Sequence, residues 1–169
     1  MTVVRQKDLI ASVADALQYI SYYHPPDFVR AMTEAYEREE SPAAKAALTQ
    51  VLVNSRMCAL GHRPICQDTG IVIVFLEVGM DVQWESELSV EEMINEGVRQ
   101  AYMDASNPLR ASVLGDPEGD RANTLDNTPA VIHTRIVPGA ELRVEIAAKG
   151  GGSEAKAKFT MLNPSDSVV

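Results

Sequence analysis

Cysteine is scarce: Cys58 and Cys66 are the only two in 169 residues. Two thiols do not make a disulfide framework, so a reducing, cytoplasmic setting is expected. Basic residues are also in deficit, with 15 Lys and Arg against 24 Asp and Glu and a formal net charge of −9. That balance argues against nucleic acid and against an anionic membrane surface as partners, because both need a cationic face. A small anionic ligand stays open, since a few local Arg and Lys can oppose the global charge. No apolar run reaches the roughly 18 residues of a membrane span. The opening stretch Met1–Asp8 lacks the apolar block of a secretory signal. Internal repeats and low-complexity linkers are missing too. What remains is ordinary for a globular chain: 46% apolar and 23% charged residues. That is enough for a core, and a single domain over 1–169 is expected.

The first sixty residues read as helices. Leu9, Val13, Leu17 and Ile20 recur at helical spacing, and His24-Pro25-Pro26 breaks that pattern. Asp27 opens a second helix carrying Phe28, Met32, Ala35 and Tyr36, with a solvated tail at 37–40. Ser41 and Pro42 make an N-cap and first-turn pair. The third helix then carries Ala44, Ala47, Leu48, Val51, Leu52, Ser55, Cys58 and Ala59 on one face, with Gly61 placed to end it. Ile71–Val78 is a continuous apolar, β-branched run, which predicts a strand buried on both faces. Ser89 and Glu92 form a capping box for a helix through Val90, Ile94, Val98, Ala101 and Ala105. Residues 106–129 hold turn formers and little periodicity, and a loop of that length is usually functional or mobile. Ala130–Val137, a Pro138-Gly139 turn and Leu142–Ala148 predict an antiparallel hairpin. Ala155, Ala157, Phe159 and Met161 alternate with Lys156 and Lys158 as a further strand. The order of elements predicts an α+β fold, with N-terminal helices packed on a mainly antiparallel sheet.

Three segments have the composition of a site. Arg63-Pro-Ile-Cys66-Gln67-Asp68-Thr69-Gly70 puts a thiol, an amide and a carboxylate on a helix-to-strand connection, where a thiolate can bind a soft metal or act as a nucleophile. The plainer reading is a buried free cysteine before an ordinary turn; Cys58, on an apolar helix face, takes that reading. Lys149-Gly150-Gly151-Gly152-Ser153-Glu154 lets backbone amides converge on an anion, or is merely a pliant connection; it fits neither a Walker loop nor a dinucleotide fingerprint. Asn107-Pro108-Leu109-Arg110 offers a guanidinium that can clamp a carboxylate, although a solvent-facing Arg paired with an acid is the commoner case. His62 lies near Cys66 in sequence, whereas His24 and His133 read as structural. The acids Asp116, Glu118, Asp120 and Asp126 do not match an EF-hand loop.

Taken together, Arg63–Gly70, Asn107–Arg110, Asp126–Ala130 and Lys149–Glu154 occur in the order seen in class I fumarases, and the chain resembles that family and the related tartrate dehydratase α-subunits from about residue 5 onward. The resemblance implies reversible addition of water to fumarate, giving malate, by an iron–sulfur hydro-lyase of the tricarboxylic acid cycle. It implies a [4Fe–4S] cluster held by three cysteines with one iron open, Cys66 being one ligand. It further implies that Gln67 and Asp68 reach the substrate, with Asp68 the candidate for proton transfer. Arg110 and the Gly150, Gly151 and Gly152 amides would bind the carboxylates of a small dicarboxylate. Only one cysteine matches a family ligand position. The chain therefore resembles an N-terminal portion whose partner is the remaining part of the enzyme, homodimeric at full length. Alone it is expected to lack the cluster and to be inactive.

Two readings from other classes remain beside this one. A cysteine-dependent enzyme would pair Cys66 with a histidine. A non-catalytic carboxylate- or phosphate-binding module would use the glycine run without the thiol.

Overall fold

A computed structural model describes residues 2–151 and 159–165. In chain order the elements are β1 (Val3–Arg5), α1 (Gln6–Tyr22), α2 (Pro26–Arg38), α3 (Pro42–Gly61), β2 (Ile71–Gly79), β3 (Gln83–Glu85), α4 (Val90–Tyr102), β4 (Val131–Val137) and β5 (Leu142–Lys149). Helices and strands are thus combined as α+β, as the pattern of elements predicts.

The core lies between two helices and one face of a three-stranded sheet. Leu9, Ile10, Val13 and Leu17 of α1 and Met93, Ile94, Val98 and Ala101 of α4 are buried together with Val72, Val74, Leu76 and Val78 of β2. The helical stripe on α1 and the alternate residues of β2 are what make this interface, each element burying one side. Gly97 lets α1 and α4 approach closely: a Cβ there would lie 2.7 Å from the Val13 Cβ and 2.8 Å from the Ile10 carbonyl oxygen. The Ser89 hydroxyl accepts the Glu92 amide at 3.2 Å and the Glu92 carboxylate accepts the Ser89 amide at 2.8 Å, so the predicted capping box starts α4.

The sheet corrects the expected strand directions. Its order is β4-β2-β5, with β2 parallel to β4 and antiparallel to β5. The predicted hairpin of residues 130–148 does not form. β4 and β5 are consecutive and joined by a short turn, but β2 lies between them and takes the ladder bonds of both. The end of β2 fills the turn: the Gly79 amide donates to the Glu141 carbonyl, Met80 to Val137 and Asp81 to Gly139, at 2.8–2.9 Å. The sheet is therefore mixed rather than mainly antiparallel, and α4 lies on the crossover between the parallel strands. A second, two-stranded parallel pair, β1 with β3, had no periodicity to announce it at three residues each.

Other expectations are corrected. β2 is buried on one face only, with Ile71 43% and Phe75 47% exposed. Apolar character on both sides of a strand thus does not mean cover on both sides. The third helix does end on Gly61 as expected, with His62 following it in the left-handed cap at φ 46°. The fourth ends at Tyr102, short of Ala105, where Asp104 turns the chain by accepting the Ser106 amide. α2 buries no residue and α3 only Ser55 and Cys58. Ala155 and Ala157 of the last predicted strand lie outside the described residues, and Phe159 and Met161 are exposed and not in a strand.

Candidate functional site

The Cys66 loop is pinned from two helices. The Ile65 amide donates to the Ser21 carbonyl at the end of α1, 2.8 Å, and Asn54 Nδ2 of α3 donates to the Ile65 carbonyl, 3.0 Å. The loop then displays Cys66 and Gln67 to solvent, with Asp68 and Thr69 half-buried. The Cys66 Sγ lies 3.3 Å from Gln67 Oε1. Cys58 is buried, and its thiol donates to Asn54 Oδ1 and to the Pro64 carbonyl at 3.6 Å, which fits the core role expected of it. The two thiols therefore occupy opposite environments although eight positions apart.

The glycine bend meets this loop through Asp68. Oδ1 accepts the Gly70 amide at 3.1 Å and Oδ2 accepts the Gly151 amide at 2.9 Å. Close approach is permitted by Gly70, whose backbone is left-handed at φ 76°; a Cβ there would stand 2.4 Å from the Lys149 carbonyl. The bend thus already holds a carboxylate with a backbone amide, and that carboxylate belongs to the protein. Gly150 lies against it as well, its added Cβ falling 3.1 Å from Asp68 Oδ2. Gly152 lies outside the described residues. A cavity of about 110 Å³ opens beside the loop, lined by Cys66, Asp68, Thr69, Tyr102, Leu109 and Ala148 among others.

Arg110 is exposed and lies one residue from the cavity wall at Leu109. Its main chain is tied to the Cys66 loop, since the Thr69 hydroxyl donates to the Arg110 carbonyl. The preceding turn is tied to α1: Gln18 Nε2 donates to the Ala101 carbonyl at 2.6 Å and the Asn107 carbonyl at 3.1 Å, and Asn107 Nδ2 donates back to Gln18 Oε1 at 2.6 Å. The structure therefore brings together Cys66, Gln67, Asp68, Gly150 and Gly151, with the Arg110 segment bonded to the same loop.

Sequence reasoning missed the polar side chains that assemble these segments. Tyr102, at the end of α4, donates its hydroxyl to the Thr69 carbonyl at 3.0 Å. Burial pushes this phenol above its usual range; the nearby Asp68 charge adds to the shift and the Thr69 hydrogen bond opposes it. Asn127 is fully buried and bonds both Gly70, just before β2, and the chain after Arg110. Asn127 falls in the Asp126–Ala130 segment, but nothing local marks its partners.

The three histidines each stack on an aromatic ring. His62 stacks on Tyr22 at 4.7 Å between ring centroids, with its Nε2 3.5 Å from the Tyr23 hydroxyl. His133 stacks on Phe75 on the exposed face of the sheet. His24 stacks on Phe28, and burial lowers its pKa. Among the described residues no group of three or more His, Cys, Asp and Glu side chains is placed to hold a metal ion. Nor is any helix among them long and apolar enough to cross a membrane.

Residues 10–169 match the family model described as fumarate hydratase (Fumerase). The chain belongs to this family. Among its relatives is "Putative L(+)-tartrate dehydratase subunit alpha" of Methanocaldococcus jannaschii, 32% identical over 160 residues, covering 92% of this chain and 55% of the relative. The L(+)-tartrate dehydratase subunit alpha of Escherichia coli UTI89 is 26% identical over 154 residues, covering 91% of this chain and 50% of its own length. "Fumarate hydratase class I, anaerobic" of Escherichia coli K12 is 34% identical over 121 residues, 72% of this chain and 22% of that protein. This fumarate hydratase family chain spans about half the length of the two tartrate dehydratase subunits it matches. The family and these relatives' names are those of hydro-lyases.

Proposed function

We propose that this chain is the N-terminal portion of a cytoplasmic hydro-lyase that reversibly hydrates fumarate to malate. The meeting of the Cys66 loop with the glycine bend carries the reading: the Asp68 carboxylate on the Gly151 amide, 2.9 Å, is a carboxylate bound where a substrate carboxylate is expected to bind. In the forward direction water adds across the double bond, its hydroxyl joining one carbon and a proton the other. Both substrate carboxylates are charged, so donors fixed in advance bind and orient the diacid, and they lower the barrier where charge grows on the carboxylate next to the carbon that takes the proton. Arg110 supplies a planar two-pronged donor for one carboxylate. The amides of Gly150, Gly151 and Gly152 supply donors for the other, and Gln67 an amide beside it. Asp68 is the candidate to move the proton. Its hydrogen bond from the Gly70 amide, 3.1 Å, keeps it oriented when a substrate carboxylate takes the Gly151 amide from it.

Class I members work with an iron–sulfur cluster, a Lewis acid toward the substrate hydroxyl. The donors of this chain do not fit such a cluster by themselves. Cys66 is a suitable single thiolate, whereas Cys58 is buried with its thiol donating to oxygen, and the described residues hold no third ligand. We therefore assign Cys66 as one ligand of a [4Fe–4S] cluster completed by the rest of the enzyme, and derive no step through it. The full enzyme is taken as a homodimer.

Anaerobic reconstitution with iron and sulfide tests the reading, applied to this chain and to a version extended past Val169 to the relatives' length. Thiolate–iron absorbance and malate formation are expected from the extended version and not from the chain alone. Turnover by the chain alone would refute the assignment. Diacid binding that survives Cys66→Ala, with no turnover in the extended version, would mark a plain anion-binding module.

A further inference from the structure

The long connection between α4 and β4 contains only an isolated bridge, Leu114 with Asn123, yet it carries Arg110. Something other than a ladder must decide where that side chain stands. The most fully buried polar side chain among the described residues is placed to do so. Asn127 is 0% exposed. Its Oδ1 accepts the Ser112 amide at 2.6 Å and the Val113 amide at 3.2 Å, and its Nδ2 donates to the Gly70 carbonyl at 3.0 Å. One carboxamide thus joins the chain two residues beyond Arg110 to the residue that ends the Cys66 loop.

The chemistry of the position selects asparagine. Its backbone is left-handed, at φ 62°, which asparagine tolerates better than most residues. Acceptor and donor are both required: two amides on one side, a carbonyl on the other. An aspartate would keep the acceptor but turn a second oxygen toward the Gly70 carbonyl. An alanine would take this partner from two part-buried amides and a buried carbonyl. The flanking residue braces the same turn, since Asp126 accepts Arg99 Nε at 3.0 Å and the Thr128 amide at 3.0 Å.

We propose that Asn127 is a positioning residue that fixes the main chain at Arg110 relative to the Cys66 loop, and with it the reach of the guanidinium. It does so by stapling residues 112–113 to Gly70, in parallel with the Thr69–Arg110 bond. What Arg110 binds rests on the hydro-lyase reading; where Arg110 is held does not.

The test uses this chain with a nitroxide on the exposed Cys66. The label broadens the NMR signals of nearby protons, so it reports how close the Arg110 Nε–H is held. In the native sequence strong broadening is expected. In Asn127→Asp and Asn127→Ala it should fall severalfold, while β2 and β5 amides keep theirs. The Ser112 and Val113 amides should also exchange about tenfold faster, the loss of roughly one net hydrogen bond, with β2 and β5 amides unchanged. Unaltered Arg110 broadening in Asn127→Asp, or a uniform loss of protection or unfolding in both variants, would overturn the proposal in favour of a purely structural role. Malate titrated into the version extended past Val169, with Cys66 unlabelled, is read separately. No response of the Arg110 Nε–H would count against the substrate assignment, and the Asn127 result would still stand.

Discussion

Asp68 and Gly151 are 83 positions apart, and the Asp68 Oδ2 accepts the Gly151 amide at 2.9 Å. The carboxylate of the thiol loop thus closes the glycine bend that follows β5. Asp68→Ala is expected to release that bend. Gly151 and Gly70 amide exchange should accelerate, and stability should fall by about 1.5–3 kcal/mol, the scale of a hydrogen bond to a charged acceptor. Asp68→Asn should fall between, since one amide oxygen still accepts. Urea unfolding and amide exchange check both; equal exchange at Gly151 in native and Ala chains would deny the brace.

Gly97→Ala pits two effects against each other. Alanine is the better helix former by about 1 kcal/mol. Against that, the new methyl would stand 2.7 Å from the Val13 Cβ and 2.8 Å from the Ile10 carbonyl oxygen. Neither obstacle is the movable tip of a long side chain, and overpacking of this kind costs about 1–3 kcal/mol. The expected result is a net loss of stability with no loss of helix content by circular dichroism. A stabilised variant would show that α1 and α4 can separate at little cost.

Local pattern announced the elements better than their arrangement. The apolar stripe of α1, the Ser41 cap and the Ser89–Glu92 box are short-range features, and each appears where the sequence places it. The order β4-β2-β5 is not short-range. Two alternating segments around Pro138-Gly139 have the look of a hairpin, and only the energetics of a distant apolar strand inserting between them says otherwise. The same limit applies at the site. The thiol, amide and carboxylate of residues 66–68 stand out because they adjoin one another. Asn127, which bonds Gly70 57 positions away, has no neighbour in sequence that explains it.

The two thiols should react at very different rates. Cys66 is exposed, and Cys58 is buried with both oxygen partners on the walls around it. Iodoacetamide under native conditions is expected to label Cys66 alone, with Cys58 following only after denaturant is added, because alkylation needs access as well as thiolate. Peptide mapping by mass spectrometry reads the two sites. Comparable labelling of both in the folded chain would place Cys58 outside the core and reopen it as a ligand.

Acid should loosen the turn that carries Asn127. Burial raises the Asp126 carboxyl, but the Thr128 amide and hydroxyl and the Arg99 guanidinium outweigh it, and the group ends below its ordinary value of 3.8. The folded state therefore binds this proton less readily than the unfolded chain does. The sign follows: the contribution is complete above the ordinary carboxylate range and is lost as pH falls through the lowered folded value. Asp126→Asn removes the charge at every pH, so the native chain should be more stable than the variant near neutrality, with the gap narrowing on acidification. Glu92, Glu96 and Asp104 are lowered too, and for that reason the difference between the two chains is the quantity to follow, not the slope of either. Urea midpoints from neutral pH down to about pH 3 give it, and Thr128 amide exchange localises the effect. A gap that stays constant with pH would mean that the Arg99–Asp126 pair, 3.0 Å apart, stabilises the turn by shape rather than charge.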